Sequence, residues 1–185
     1  MFDFSTFPVL ETQRLTLRAL VDTDAAAVWA IRGDYEVTKY NTGAPIRTPI
    51  EAALIIQAIN ADYREKIAVR WGIARKDNDA VIGMCGFNYW DRANFRASVG
   101  YDLARAYWGQ GLMPEALRRV VRFGFEEMGL NRIEADSSAL NTASARVLEK
   151  VGFRQEGLQR EQYYEEGQFY DLMLFALLKR EFAQR

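Results

Sequence analysis

The segment Tyr107-Trp108-Gly109-Gln110-Gly111-Leu112-Met113-Pro114-Glu115-Ala116-Leu117 constrains the fold of this chain more than any other. Gly109 and Gly111 flank Gln110 in a tight loop. Pro114 stands where a first helical turn tolerates it, because the N–H it lacks would have no partner there. Beyond it Leu117, Val120, Val121, Gly124, Phe125 and Met128 recur at helical spacing, with Arg118, Arg119, Arg122 and Glu126 turned outward. The pattern predicts a loop opening into a long amphipathic helix. Such a junction leaves several N–H groups unpaired at the positive end of a helix dipole, a ready site for a pyrophosphate. Glycine turns before helices are also commonly turns and nothing more, so the loop alone leaves both readings open.

The bulk of the sequence narrows the classes. The 185 residues, 49% apolar and 26% charged, suit one globular domain spanning residues 1–185 with a full core. A net charge of −1 argues against nucleic acid as partner, since a phosphate-binding face needs a basic excess. No apolar run reaches membrane-spanning length and no basic-then-apolar leader is present, so no membrane is expected. The single cysteine, Cys85, allows no internal disulfide and fits a reducing compartment; the cytoplasm is expected. Histidine is absent, which removes Ser-His, Cys-His and His-ligated zinc chemistry, and no metal is expected. Proton transfer then falls to carboxylates, tyrosines, hydroxyls, lysines, the thiol or water. Cys85, in the apolar run Val81-Ile82-Gly83-Met84-Cys85-Gly86-Phe87, reads as a small core residue on a buried strand.

Periodicity orders the elements. A first strand is expected over Arg14–Leu20, then a helix capped by Asp22-Thr23-Asp24 and running through Val28, Trp29 and Ile31 to Gly33. Thr48-Pro49-Ile50-Glu51 is a capping box that opens a helix to about Glu65. Val69, Trp71 and Ile73 alternate in a strand, Lys76-Asp77-Asn78-Asp79 is a hairpin turn, and the Cys85 strand follows. Ala97, Val99, Tyr101 and Leu103 alternate in a fourth strand that ends just before the glycine loop. After the long helix come a strand at Arg132–Ser138 and a helix from about Thr142 to Val151 that stops at Gly152. Strands at Phe153–Leu158 and Phe169–Leu177 complete the chain. Strands joined through single helices imply parallel neighbours, and the three consecutive strands imply an antiparallel meander. The expected fold is α/β (α+β): a mixed, largely antiparallel, seven-stranded sheet with helices on both faces.

A second constellation lies in Asn141-Thr142-Ala143-Ser144-Ala145-Arg146-Val147-Leu148-Glu149-Lys150-Val151-Gly152-Phe153. Asn141 is a good N-cap, and Ser144 falls in the first turn. Alone this is a capped helix with a glycine stop. Paired with the glycine loop, it puts two helix N-termini at neighbouring strand ends, one suited to a pyrophosphate and one offering an amide and a hydroxyl.

Together these residues resemble the GCN5-related N-acetyltransferase (GNAT) superfamily, and within it the ribosomal-protein N-terminal (Ser/Ala) acetyltransferase branch. Tyr107-Trp108-Gly109-Gln110-Gly111 is similar to the family's acetyl-CoA pyrophosphate loop. Asn141-x-x-Ser144, followed by Leu148-Glu149-Lys150-x-Gly152-Phe153, is similar to its next motif, and Gly100-Tyr101 and Asp171 fit the branch. The resemblance implies acetyl-CoA bound as cosubstrate by Trp108, Gly109, Gln110, Gly111, Leu112, Met113, Asn141 and Ser144. The pantetheine arm would run along the fourth strand beside backbone groups of Tyr101, Asp102 and Leu103. Trp108 and Met113 replace the usual first and last loop residues, which shifts the phosphate contacts toward backbone N–H groups. Leu148 holds the place of a tyrosine acid found in many relatives, so the resemblance hands the acid role to Ser144. Ser98 holds the place of a strand glutamate, Tyr163 aligns with a relative's base, and no base is assigned.

The implied activity is transfer of acetyl from acetyl-CoA directly to a primary amine, on a protein N-terminus or a small molecule. The competing reading is a non-catalytic acyl-CoA-binding module of the same fold. Glu134 and Asp136 share a strand face, while Glu161, Glu165 and Glu166 are expected on a long connection before the last strand. Tyr35, Tyr40, Tyr63, Phe87, Tyr89 and Trp90 are candidates to line the acceptor groove. A homodimer is one assembly the resemblance admits.

Overall fold

The computed structural model describes residues 3–41, 45–165 and 167–183. Eight strands form one sheet in the order β1-β2-β3-β4-β5-β6-β8-β7. They are β1 (Leu10–Glu11), β2 (Leu15–Arg18), β3 (Val69–Arg75), β4 (Val81–Asp91), β5 (Arg96–Leu103), β6 (Arg132–Ser138), β7 (Arg154–Glu165) and β8 (Gln168–Leu178). The helices are α1 (Ala25–Arg32), α2 (Tyr35–Thr38), α3 (Pro49–Arg64), α4 (Leu112–Glu126), α5 (Thr142–Val151) and α6 (Lys179–Phe182). The expected mixed, mostly antiparallel sheet is present, with one strand more than the pattern predicted. The addition is β1, whose Leu10 and Glu11 pair with Leu17 and Thr16; two residues are too few to show a period.

Alternation along the strands divides the core. Trp71, Ile73, Cys85, Phe87 and Val99 face α4 and α5, and meet Leu117, Val120, Val121 and Leu148 there. Ala74, Val81 and Met84 face the opposite way, onto Val28, Ile31, Ala52 and Ile56 of α1 and α3. Trp71 is fully buried, and its indole N–H donates to the Pro8 carbonyl at 2.6 Å. The apolar stripe of α4 lies inward as its spacing requires. Cys85 is 0% exposed and burial pushes its thiol up to about 12, which agrees with a core residue rather than a nucleophile.

Local signals worked where chemistry is local. The Thr48 hydroxyl accepts from Glu51 N–H and opens α3, and Gly152, at φ 115°, ends α5. Asp24 departs from its expected role. It precedes α1 but makes no side-chain cap there; its carboxylate instead binds the Arg18 guanidinium at 2.8 Å and the Val21 N–H. A salt bridge from a neighbouring strand outcompetes a helix N–H for the same oxygens.

Two topological expectations are corrected. β5 and β6, joined through α4, are parallel neighbours as predicted. β6 and β7, joined through α5, are not, because β8 lies between them and pairs antiparallel with both. The stretch read as a long connection is instead paired strand. Glu161 and Glu165 lie on β7, while Glu166 lies outside the described residues. Polar residues such as Arg160, Glu161 and Gln162 hide a strand that packs little on the core; β7 is an edge strand and largely exposed.

Candidate active site

The site begins where the sheet opens. β5 and β6 pair only at Arg96–Ser98 with Arg132–Glu134, and beyond Ser98 the two strands separate. A bulge at Asn88 of β4 accompanies the opening, as the register with β5 shifts between Phe87 and Tyr89. The Ala104 N–H donates to the Ile82 carbonyl on the β4 side. Antiparallel alternation therefore turns the backbone groups of Asp102 toward β4 and those of Tyr101 and Leu103 toward the opening. The Trp108 indole N–H, at 2.7 Å, takes the Leu103 carbonyl. Tyr101 and the Leu103 N–H thus form an unpaired strand edge lining a cleft of about 970 Å³.

The glycine loop closes one end of this cleft. Gly109 and Gly111 both have φ 74°, a left-handed conformation that costs glycine least. Gly111 caps α4, and the helix's first backbone bond runs from Glu115 N–H to the Gly111 carbonyl. Among the described residues nothing accepts from the N–H groups of Gly111, Leu112 or Met113, and Pro114 has no N–H. The helix starts at Leu112, two residues ahead of the proline, and leaves the cluster of free donors the sequence predicted. Trp108, Gly109, Gly111, Leu112 and Met113 line the cleft. Gln110 does not. Its side-chain amide donates to the Ala106 carbonyl and its own carbonyl accepts from Arg14 at 3.0 Å.

That bond belongs to a network no local pattern revealed. Glu115 receives the Thr12 hydroxyl at 2.7 Å, the Arg14 N–H at 2.9 Å and the Arg14 guanidinium at 2.7 Å. Burial would raise the Glu115 carboxyl, but the Thr12 hydroxyl and the two Arg14 contacts outweigh it and hold it below the usual glutamate value. Arg14 in turn pulls the Gln110 carbonyl away from the cleft. In a trans peptide the following N–H points the opposite way, so the same bond aims the Gly111 N–H into the cleft.

The second motif meets β5 across the opening. Asn141 caps α5 by accepting from Ser144 N–H at 3.0 Å, as predicted. Ser144 Oγ lies 2.8 Å from the Tyr101 hydroxyl, which also reaches the Ser144 carbonyl at 3.2 Å. Burial pushes the Tyr101 phenol well above its ordinary value, so it stays protonated. Tyr101 was expected to act through its backbone; it contributes a hydroxyl as well. Leu148, at the alternative acid position, is fully buried in the core.

Three comparisons bear on this geometry. The family model for the Acetyltransferase (GNAT) domain matches residues 14–154. The chain belongs to the GNAT acetyltransferase family.

This acetyltransferase is 42% identical over 174 residues to the uncharacterized N-acetyltransferase p20 of Bacillus licheniformis, covering 94% of this chain and 98% of that one. It is 28% identical over 176 residues to the [Ribosomal protein uS5]-alanine N-acetyltransferase of Escherichia coli, covering 91% of this chain and 89% of that one. Among solved structures, Mycobacterium smegmatis RimJ in complex with CoA-disulfide superimposes with a TM-score of 0.87 at 25% identity, covering 98% of this chain and 91% of that one. The resemblance to the ribosomal-protein branch is borne out, and the chain is an acetyl-CoA-dependent N-acetyltransferase. No helix among the described residues is long and apolar enough to cross a membrane.

The remaining cleft residues of the acetyltransferase sort the unassigned carboxylates. Glu134 is bound by Arg132 at 2.7 Å and Arg96 at 3.6 Å, so it is already matched. Asp136, two residues along β6, opens on the cleft without an ion pair among the described residues. Its walls withdraw enough water to raise its carboxyl above the usual aspartate value. Asp102 lines the cleft, but its carboxylate is committed to Arg32 at 2.8 Å, Arg70 at 3.1 Å and the Asn41 amide at 2.9 Å. A bulge in β7, where register shifts between Gln159 and Tyr163, turns Gln162 and Tyr163 to the cleft wall. Asp171 holds that bulge by accepting the Glu161 N–H at 2.8 Å. Of the six aromatics expected to line the acceptor groove, Tyr40 does so. Phe87 is core and borders a smaller cavity, and the Tyr63 hydroxyl donates to the Thr6 carbonyl. Arg146 and Lys150 of α5, which sequence reasoning passed over, add positive charge to the cleft wall.

Proposed function

We propose that this acetyltransferase moves the acetyl group from acetyl-CoA directly to a primary amine, on a protein N-terminus or a small molecule. The observation that carries the reading is the cleft itself, with free helix N–H groups at one end and the Ser144–Tyr101 hydroxyl pair across the strand opening. The free N–H groups of Gly111, Leu112 and Met113 suit the pyrophosphate. The unpaired edge at Tyr101 and Leu103 suits the amides of the pantetheine arm, and the Asn141 side-chain amide has an N–H₂ to offer it.

The amine nitrogen attacks the thioester carbonyl carbon. The N–C bond forms, the C–S bond breaks, and sulfur leaves with the electron pair. Ser144 Oγ–H gives the thiolate its proton or hydrogen bond, while the Tyr101 O–H, turned from the Ser144 carbonyl to Ser144 Oγ, supports the charge it takes up. The nitrogen's surplus proton passes to Asp136, the cleft carboxylate that no cation among the described residues holds ionised. No enzyme nucleophile is needed, in keeping with the buried Cys85 thiol. The lone thiol also suits a reducing compartment, the cytoplasm.

The test is release of free CoA thiol from acetyl-CoA when amines and N-terminal peptides are added singly. Acceptor-dependent release supports the reading. CoA binding with no release from any acceptor favours the non-catalytic module.

A further inference from the structure

We infer that the acceptor of this acetyltransferase carries an anionic group near its amine, a carboxylate or a phosphate, received by Arg32 and Arg70. The inference rests on the transfer reading above. Both guanidinium groups converge on one oxygen, Asp102 Oδ2, at 2.8 and 3.1 Å. Asp102 is 5% exposed, and it neutralises only one of the two cations. Arg70 spends another N–H on the Asn88 side-chain amide oxygen, whereas the Arg32 guanidinium makes no other hydrogen bond among the described residues. One positive charge with several free donors is left in a half-buried place.

That place is a junction. Arg32, Arg70 and Asn88 line both the main cleft and an adjoining cavity of about 220 Å³ behind it. Asp62 also borders the smaller cavity, but it forms no ion pair with either arginine. Lys39, the nearby lysine of the cleft, is already matched by Glu36 at 2.8 Å. Asp102 follows Tyr101 on β5, and successive residues of a strand point to opposite faces. The arginine pair therefore lies across β5 from the Ser144–Tyr101 hydroxyls. Asp136 sits on the neighbouring strand with its carboxylate open to the same cleft. A molecule with an amine at Asp136 and an anion at the arginines would match both charges, and a guanidinium fork suits carboxylate and phosphate oxygens alike. An arginine pair serving only to pin α1 to the sheet would need no free donors facing a cavity.

The experiment is steady-state acetylation of matched acceptors. Free amino acids are set against their amides, O-phosphoethanolamine against ethanolamine, and peptides with Asp or Glu at the first two positions against their Asn or Gln counterparts. The three pairs separate a main-chain carboxylate, a phosphate and a side-chain carboxylate as the anion's source. The expected result is about tenfold or greater preference in kcat/KM for the anionic member of at least one pair. Arg32→Gln should remove that preference, raising KM about tenfold more for the anionic member than for the neutral one, and Arg32→Lys should restore part of it. Equal turnover of both members in every pair by the wild type overturns the inference, whatever the variants do. Equal loss on anionic and neutral acceptors in Arg32→Gln also overturns it, in favour of a structural role. Absence of thiol release from every acceptor instead overturns the transfer reading, and this inference with it.

Discussion

Replacing Tyr101 by phenylalanine, alone and with Ser144→Ala, tests whether the two hydroxyls work as one donor. Their oxygens are 2.8 Å apart, and either could donate. If the tyrosine O–H donates, the serine proton is free to point at the departing sulfur. A donor to a developing thiolate contributes roughly 10- to 1,000-fold to kcat, the range expected for Ser144→Ala. The Tyr101 hydroxyl acts one bond further away. A neutral hydrogen bond is worth about 1 kcal/mol, so Tyr101→Phe should lower kcat by about fivefold. Because that effect passes through Ser144, the double variant should be no slower than Ser144→Ala, and the coupling energy should equal the whole single effect of Tyr101, about 1 kcal/mol. The assay is single-turnover thiol release at saturating acetyl-CoA, with CoA affinity measured by calorimetry to show that binding is intact. Burial keeps the phenol protonated, so the wild-type rate should show no alkaline limb from Tyr101 below the usual tyrosine value of 10.0. Multiplicative losses in the double variant would refute the relay, and near-normal kcat in Ser144→Ala would return thiolate protonation to water.

Four further outcomes are expected. Asp136 has to be ionised to accept a proton and its carboxyl is raised by partial desolvation at the cleft walls, so kcat/KM should fall as pH drops through a value above 3.8; Asp136→Asn should lower the rate and abolish that acid limb. Arg14→Gln should release the Gln110 carbonyl and weaken CoA binding by about tenfold in calorimetry, while kcat/KM for acetyl-pantetheine, which has no pyrophosphate, stays unchanged. Gly111→Val should also weaken CoA about tenfold or more, not through a clash, since a Cβ there meets only the Arg14 guanidinium at 3.7 Å, but because a β-branched residue resists φ 74°. Cys85 should resist alkylation by iodoacetamide at pH 8 until the chain unfolds, and because its folded pKa is raised to about 12, stability should decline as pH climbs from 9.0 toward that value.

Much of the fold could be read from the chain because its signals are short-range. A capping box opens α3, a glycine ends α5, and a stripe at helical spacing turns α4 inward; each depends on residues within a turn or two of one another. The same holds for the glycine loop and for the Asn141 cap with Ser144 behind it. The readings that failed share the opposite property. Whether β7 neighbours β6 depends on where β8 inserts, and nothing in the 154–165 stretch encodes its distant partner. Its polar composition suggested a connection because an edge strand need not be apolar.

Sequence alone thus determined most of the element types, the glycine loop that opens α4 and the capped Ser144, since backbone geometry and nearest neighbours settle them. Tertiary structure decided which side chains act together. Tyr101 meets Ser144 across 43 positions of chain, Glu115 reaches Thr12 across 103, and Arg32 joins Asp102 across 70. It also separated Asp136 from Glu134, two like residues on one strand face, by giving Glu134 two arginines and leaving Asp136 to the cleft. The physical reason is that a hydrogen bond, an ion pair or a desolvated carboxylate depends on distance and dielectric in three dimensions, and strand pairing brings together residues that no local period relates.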